Sequence, residues 1–120
     1  IRSWFRDVLH DAFREVDILV APATTGAAPR LDQPTITLGG KQVSARANLG
    51  LFTQPLSLAG MPVVAAPLAP APGKPDGLPL GVQLIAAPGK EATLLAFAQA
   101  MEKAGLLGFP CADAPLTEQA

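Results

Sequence analysis

The sequence contains a single cysteine, and this scarcity excludes two kinds of structure. Cys111 alone provides neither an internal disulfide framework nor a cysteine-based metal cluster. One cysteine fits a reducing compartment, so a cytoplasmic location is expected. No apolar run approaches the roughly 18 uninterrupted residues of a membrane-spanning helix, and the N-terminal charges are spread in a way unlike a signal peptide. A membrane is therefore not an expected partner.

Charge is also scarce. Charged residues make up 16% of the chain and hydrophobic residues 49%, whereas a small free-standing domain usually carries about a quarter charged residues. The net charge of −1 provides no basic patch for nucleic acid, which is therefore not an expected direct partner either. The apolar surplus, with Ile1 already inside an amphipathic pattern, predicts a segment of a longer polypeptide whose N-terminal part is missing.

The hydrophobic periodicity predicts helices near both ends and short strands between them. Apolar residues recur at helical spacing from Ile1 to Val16, and a second helix is predicted in KEATLLAFAQAMEKAG, with Gly105 as its stop. Strands are predicted in ILVAP, between Pro62 and Pro67, and in LPLGVQLIAAP. Gly39 and Gly40 favour a tight turn that pairs Thr35 to Leu38 with Lys41 to Ser44.

These elements predict an α/β fold in which helices flank a mixed sheet. ILVAP is typical of a strand buried on both faces. In the last strand, Gly81, Gln83 and Ile85 alternate with Leu80, Val82 and Leu84. The last helix is expected to bury Leu94, Leu95, Ala98 and Met101, with Phe97 at the margin. Residues 1–107 are predicted to form one unit and residues 108–120 a flexible tail.

No catalytic constellation is recognisable in the chain. Ser3, Ser44 and Ser57 lie outside any GxSxG elbow, and the lysines lie in turns, loops and a helix end. Paired carboxylates, metal-ligand spacing and glycine-rich nucleotide loops are not found. The sequence therefore predicts no catalytic residue, no metal site and no cofactor within this chain.

Three motifs occur in one order between Asp17 and Glu102: DILVAPATTGAAP, FTQPLSLAGMPVVAAP and GLPLGVQLIAAPGKEATLLAFAQAME. In this order they resemble the C-terminal part of the amidase signature family. The resemblance implies a mixed, largely parallel sheet flanked by helices. It also implies hydrolysis of an amide, or transfer of its ammonia, by a serine, a cis-serine and a lysine that lie upstream of this chain. The segment alone is expected to be an inactive part of an amidase.

The resemblance also implies that the loop before the strand VVAAP walls the substrate pocket. Carried over by position, the candidate substrate-binding residues are Arg46, Asn48, Thr53, Gln54 and Ser57. Each has a structural alternative that stays open. Thr53 can cap the following turn, Gln54 can bond loop backbone, Ser57 can satisfy a buried amide, and Arg46 can form a surface salt bridge. The forked guanidinium of Arg46 also matches a substrate carboxylate.

The residues of these motifs look closer to those of the 1-carboxybiuret hydrolase type of amidase, which acts on small urea-like acids. In the A subunits of glutamine-dependent tRNA amidotransferases, the same loop tends to carry an acidic residue at the position of Gly50 and an asparagine at that of Ser57. Two alternatives stay open: such an A-subunit piece, or a non-catalytic structural or interaction domain. The expected partners are a small-molecule amide and the upstream part of the same amidase, and assembly into a homo-oligomer stays open.

Overall fold

The computed structural model describes residues 1–70 and 78–108. The predicted helices and strands occur in the predicted order, and two further short helices lie in the loop between the hairpin and the next strand. The elements are α1 (Arg2–Ala12), β1 (Ile18–Pro22), β2 (Thr35–Leu38), β3 (Lys41–Ser44), α2 (Ala45–Asn48), α3 (Gln54–Ala59), β4 (Val63–Pro67), β5 (Gly81–Ala86) and α4 (Glu91–Lys103). Cys111 and nearly all of the predicted tail, residues 109–120, lie outside the described residues, so the boundary at residue 107 stays a prediction.

β5 is the central strand of a three-stranded sheet in the order β1-β5-β4. Leu84 of β5 lies opposite Val20 of β1 on one side and Val64 of β4 on the other. The α/β class with flanking helices is confirmed. All strand pairs within residues 1–70 and 78–108 are antiparallel, so the parallel pairing of a mixed sheet is not found in these ranges.

The alternation predicted for β5 builds two hydrophobic cores, one on each face of the sheet. On one face, Val82, Leu84 and Ala86 pack against α4. On the other face, Ile85 packs against residues of α1 and α3. Because successive side chains of a strand point to opposite faces, a central strand can hold both layers together.

β1 is not buried on both faces, contrary to the expectation from its apolar run. It forms an edge of the sheet, and Val20 is 57% exposed. The strand buried on both faces is β5, where every residue from Val82 to Ala86 is buried. An apolar run therefore identified a strand correctly but not its position in the sheet.

The first helix is shorter than its apolar stripe predicts. α1 ends at Ala12 because two of the backbone N–H groups that follow it bond carbonyls only three residues back. The Arg14 N–H donates to the Asp11 carbonyl, and the Glu15 N–H donates to the Ala12 carbonyl. Leu9 is buried, but Trp4 remains 65% exposed. Much of the predicted buried face of this helix is therefore exposed among the described residues.

The last helix buries a narrower stripe than predicted. Leu94, Ala98 and Met101 pack against β5 and β4, as expected. Leu95 is 61% exposed and Phe97 37% exposed, so their assignment to the buried face is wrong. Steps of four and three keep residues 94, 98 and 101 on one face, whereas residues 95 and 97 are rotated away from it.

The β2–β3 hairpin has the predicted bounds and register, from Thr35 opposite Ser44 to Leu38 opposite Lys41. Gly39 and Gly40 both have positive φ angles, as a two-residue turn of this kind requires. None of the helices in the described residues is long and apolar enough to cross a membrane.

Gly60 ends α3 in the left-handed conformation, with φ 72° and ψ 37°. Its N–H donates to Ser57, and the Met61 N–H donates to Leu56, the two bonds of a Schellman motif. Gly60 thereby turns the chain sharply from α3 into β4.

We expect Gly60→Ala to destabilise the fold by about 1 kcal/mol, because a β-carbon is disfavoured at this positive φ although the space around it is open. Urea unfolding of the variant beside wild type measures the effect. Gly26→Ala is the control, since its site is equally open and its φ is not in the left-handed region. Equal unfolding midpoints for Gly60→Ala and wild type would contradict the prediction.

Candidate functional site

All five predicted substrate-binding residues lie in one run of short helical turns, residues 45–59, here called the pocket-wall segment after its predicted role. The run begins where Ser44 Oγ accepts a hydrogen bond from the Ala47 N–H, 3.3 Å away. It continues between α2 and α3 because the N–H groups of Thr53 and Gln54 both donate to the Gly50 carbonyl. The predicted polar loop is thus a compact helical segment that leads from the hairpin to the sheet.

Two of the five side chains donate hydrogen bonds to backbone carbonyls, one at Ser44, which caps α2, and one inside the segment. The Asn48 amide donates to the Ser44 carbonyl at 2.8 Å, and the Thr53 hydroxyl donates to the Gly50 carbonyl at 3.3 Å. The Thr53 side chain makes no capping bond to α3, so it holds the preceding turn instead. Both side chains therefore stabilise the local backbone of the segment.

Gln54 folds back over Gly50. A β-carbon built on Gly50 would stand 2.8 Å from Gln54 Nε2, closer than real β-carbons approach another atom. Any side chain at position 50 would therefore displace the Gln54 amide. Gln54 also lines a mostly apolar cavity of about 630 Å³ together with Trp4, Phe5 and Leu58.

Arg46 and Ser57 are exposed on the segment. Among residues 1–70 and 78–108, no carboxylate lies within salt-bridge distance of Arg46, so its expected surface salt bridge is not found there. Arg30 differs, since its guanidinium contacts Asp32 at 3.0 Å and lowers the pKa of that carboxyl.

A second cavity, of about 680 Å³, is lined by Phe52 and by the C-terminal end of β1. Its lining is largely apolar and includes Val20 and Leu80, with Thr24 and Thr25 from the loop after β1. Phe52 and Gln54 both belong to the pocket-wall segment, so the segment contributes to the lining of both cavities.

Gln83 was predicted only as an alternating residue of β5, and no functional part was assigned to it. It is 3% exposed, and its Nε2 donates to the carbonyls of Pro22 at 2.9 Å and Phe52 at 3.2 Å. These bonds join three parts of the chain: the end of β1, the centre of β5 and the pocket-wall segment. The sequence signal for this role was a lone amide inside an otherwise apolar strand.

Within the described ranges the serines of this region do not form a nucleophile-and-base pair. Ser44 Oγ is engaged as a helix cap, and Ser57 lies exposed on α3. No group of three or more His, Cys, Asp or Glu side chains is placed to hold a metal ion in these ranges.

Comparison with known proteins gives a consistent set of relatives. A family model described as Amidase matches residues 1–95. The chain is 44% identical over 110 residues to AtzE, the 1-carboxybiuret hydrolase subunit of Pseudomonas sp. (strain ADP). It is 36% identical over 104 residues to the glutamyl-tRNA(Gln) amidotransferase A subunit of Parvibaculum lavamentivorans (strain DS-1 / DSM 13023 / NCIMB 13966). These matches cover 92% and 87% of this chain.

A solved structure agrees with the sequence matches. It is described as an unexpected vestigial protein complex that reveals the evolutionary origins of an s-triazine catabolic enzyme. It superposes with a TM-score of 0.81 at 44% identity and covers 92% of this chain. The chain spans 24% of that structure's chain and of the Pseudomonas relative, and 20% of the Parvibaculum relative.

Proposed function

This chain belongs to the amidase family, and from that premise we propose that it is the C-terminal segment of an enzyme that hydrolyses the C–N bond of a small amide or urea-like acid. Its contribution is the pocket wall and the scaffold behind it. The serine, cis-serine and lysine of the reaction lie upstream in this proposal, and the segment alone is inactive. The expected partners are the upstream part of the same polypeptide and the small-molecule substrate, in the cytoplasm.

The observation that carries the proposal is the 44% identity to the Pseudomonas 1-carboxybiuret hydrolase relative over 92% of the chain. The geometry supports it, because the three sequence motifs converge at one place. The end of β1, the pocket-wall segment and β5 meet at Gln83, although they are far apart in sequence. A shared pocket explains why motifs from three parts of the chain need to meet.

A second candidate, the A subunit of a glutamine-dependent tRNA amidotransferase, is supported by the 36% identity to the Parvibaculum relative. The residue at position 50 favours the first candidate. The family resemblance associates the amidotransferase loop with an acidic side chain at this position, and this chain has glycine there.

The test is hydrolysis by the full-length protein of a panel that contains urea-derived acids, neutral small amides and glutamine, with release of ammonia as the readout. Preference for urea-derived acids supports the proposal. Hydrolysis confined to glutamine favours the amidotransferase candidate, and no hydrolysis at all favours the non-catalytic domain. The 120-residue segment is assayed alongside, and activity in the segment alone would contradict the upstream location of the catalytic groups.

We expect Arg46→Ala to raise KM for a carboxylate-bearing substrate about tenfold, because a charge-assisted hydrogen bond is lost. The KM for a neutral amide should not change, since that substrate offers no carboxylate. Steady-state kinetics on the two substrates measures both values. Arg30→Ala is the matched control, because Arg30 bonds Asp32 on the surface. An equal rise for the neutral amide would show that Arg46 acts on the fold and not on the acid.

A further inference from the structure

The side chain of Gln83 connects the sheet to the pocket-wall segment. It is buried at 3% exposure inside a strand whose neighbouring residues are apolar. Both of its hydrogen bonds leave the strand: one reaches Pro22 across 61 positions and the other reaches Phe52 across 31 positions. A buried amide with two carbonyl acceptors so distant in sequence ties together elements that local structure does not join.

Position 83 lies beside the short helices and not on the α4 face. Because side chains alternate along β5, Gln83 points to the same face as Ile85, which packs against Leu56, Ala59 and Met61. Phe52 lies immediately before Thr53 and Gln54, two of the candidate substrate-binding residues. A bond to the Phe52 carbonyl therefore controls where those two side chains stand relative to the sheet.

We propose that Gln83 is a positioning residue for substrate binding: its carboxamide fixes the pocket-wall segment at Phe52 against the end of β1. This inference rests on the proposed amidase function and adds a determinant of substrate affinity to it. Gln83 itself touches no substrate. It acts through Thr53 and Gln54, and it also bonds the backbone of Phe52, which lines the cavity of about 680 Å³.

An apolar residue of similar length isolates the hydrogen bonds from the packing. Gln83→Met keeps a long unbranched side chain in the core but removes both donors, and it leaves two carbonyl acceptors without their partner. Gln42→Met is the matched control. Its amide donates to the Thr37 hydroxyl at 2.9 Å on the exposed hairpin, so the control also loses one hydrogen bond but leaves Phe52 untouched.

In the full-length protein, we expect Gln83→Met to raise KM about tenfold and to leave kcat within about twofold, because the catalytic groups lie elsewhere. Hydrogen exchange of the backbone amides at residues 49–54 should accelerate about tenfold in the same variant. Gln42→Met should leave both the KM and the exchange at residues 49–54 unchanged.

An unchanged KM, or unchanged exchange at residues 49–54, would overturn the inference. A variant that only unfolds at lower temperature, with wild-type KM, would also overturn it. If Gln83→Met does not fold, Gln83→Asn replaces it, since this variant keeps the amide but shortens its reach; a wild-type KM there would count against positioning.

The failure of the proposed function is distinguishable from the failure of this inference. If the wild-type protein hydrolyses no member of the panel, the proposed function fails, and exchange at residues 49–54 alone then decides whether Gln83 holds the segment. If the wild type is active and either readout of Gln83→Met, KM or exchange at residues 49–54, matches it, the positioning role alone fails.

Discussion

Replacement of Leu84 by alanine is expected to lower the free energy of unfolding by about 2 to 5 kcal/mol. Leu84 is 0% exposed at the centre of β5, between Val20 of β1 and Val64 of β4. Its side chain belongs to the core under α4. Truncation removes buried apolar surface and leaves a cavity that strands on both sides hold open, so little relaxation is expected.

Urea unfolding of the full-length protein, followed by circular dichroism, measures this loss. Leu31→Ala is the control, because Leu31 is 109% exposed in the loop before β2 and the same truncation there should change the unfolding free energy by less than about 0.5 kcal/mol. Similar losses for the two variants, or no loss for Leu84→Ala, would show that β5 does not occupy the centre of the core.

Gly81→Val is expected to destabilise the fold by roughly 1 to 3 kcal/mol through overpacking. A β-carbon at position 81 would stand 3.1 Å from the Ala23 β-carbon and 3.7 Å from the Ala66 carbonyl oxygen. The valine methyl groups would extend further toward Ala23 and Ala66. Gly81 also lines the cavity beside Phe52, so the same change narrows that cavity.

Thermal unfolding of the full-length protein measures the Gly81→Val effect. A double-mutant cycle identifies its cause: Gly81→Ala beside Ala23→Gly should be less destabilising than the sum of the single changes, because removal of the Ala23 methyl group relieves the contact. Strict additivity of the two changes, or an unchanged unfolding temperature for Gly81→Val, would contradict a packing role for this glycine.

Much of the fold was predictable from local signals. The hairpin was predicted with its observed bounds because two adjacent glycines permit one kind of tight turn. The alternation in β5 predicted which side chains share a face, since a strand has only two faces. Errors arose in the predicted burial of side chains. Leu95 and Phe97 on α4, and Val20 on β1, are more exposed than their apolar character suggested.

The candidate site was predictable as a segment but not as a set of contacts. The motif around Thr53 and Gln54 indicated the pocket-wall segment by resemblance. That Gln54 folds over Gly50 depends on the helical turns between α2 and α3, whereas this stretch was predicted from the sequence only as a loop. Whether these residues bind substrate stays a prediction.

By itself the sequence determined the family, the order of the elements and the faces of β5, because motif order, periodicity and turn residues are properties of neighbouring positions. The tertiary structure alone decided that β5 is the central strand, that β1 lies at an edge, and that Gln83 joins Pro22 to Phe52. The physical reason is that burial and hydrogen bonding of a side chain depend on residues tens of positions away. A lone glutamine in an apolar strand shows that a partner is needed, and only the folded chain shows which carbonyls accept its protons.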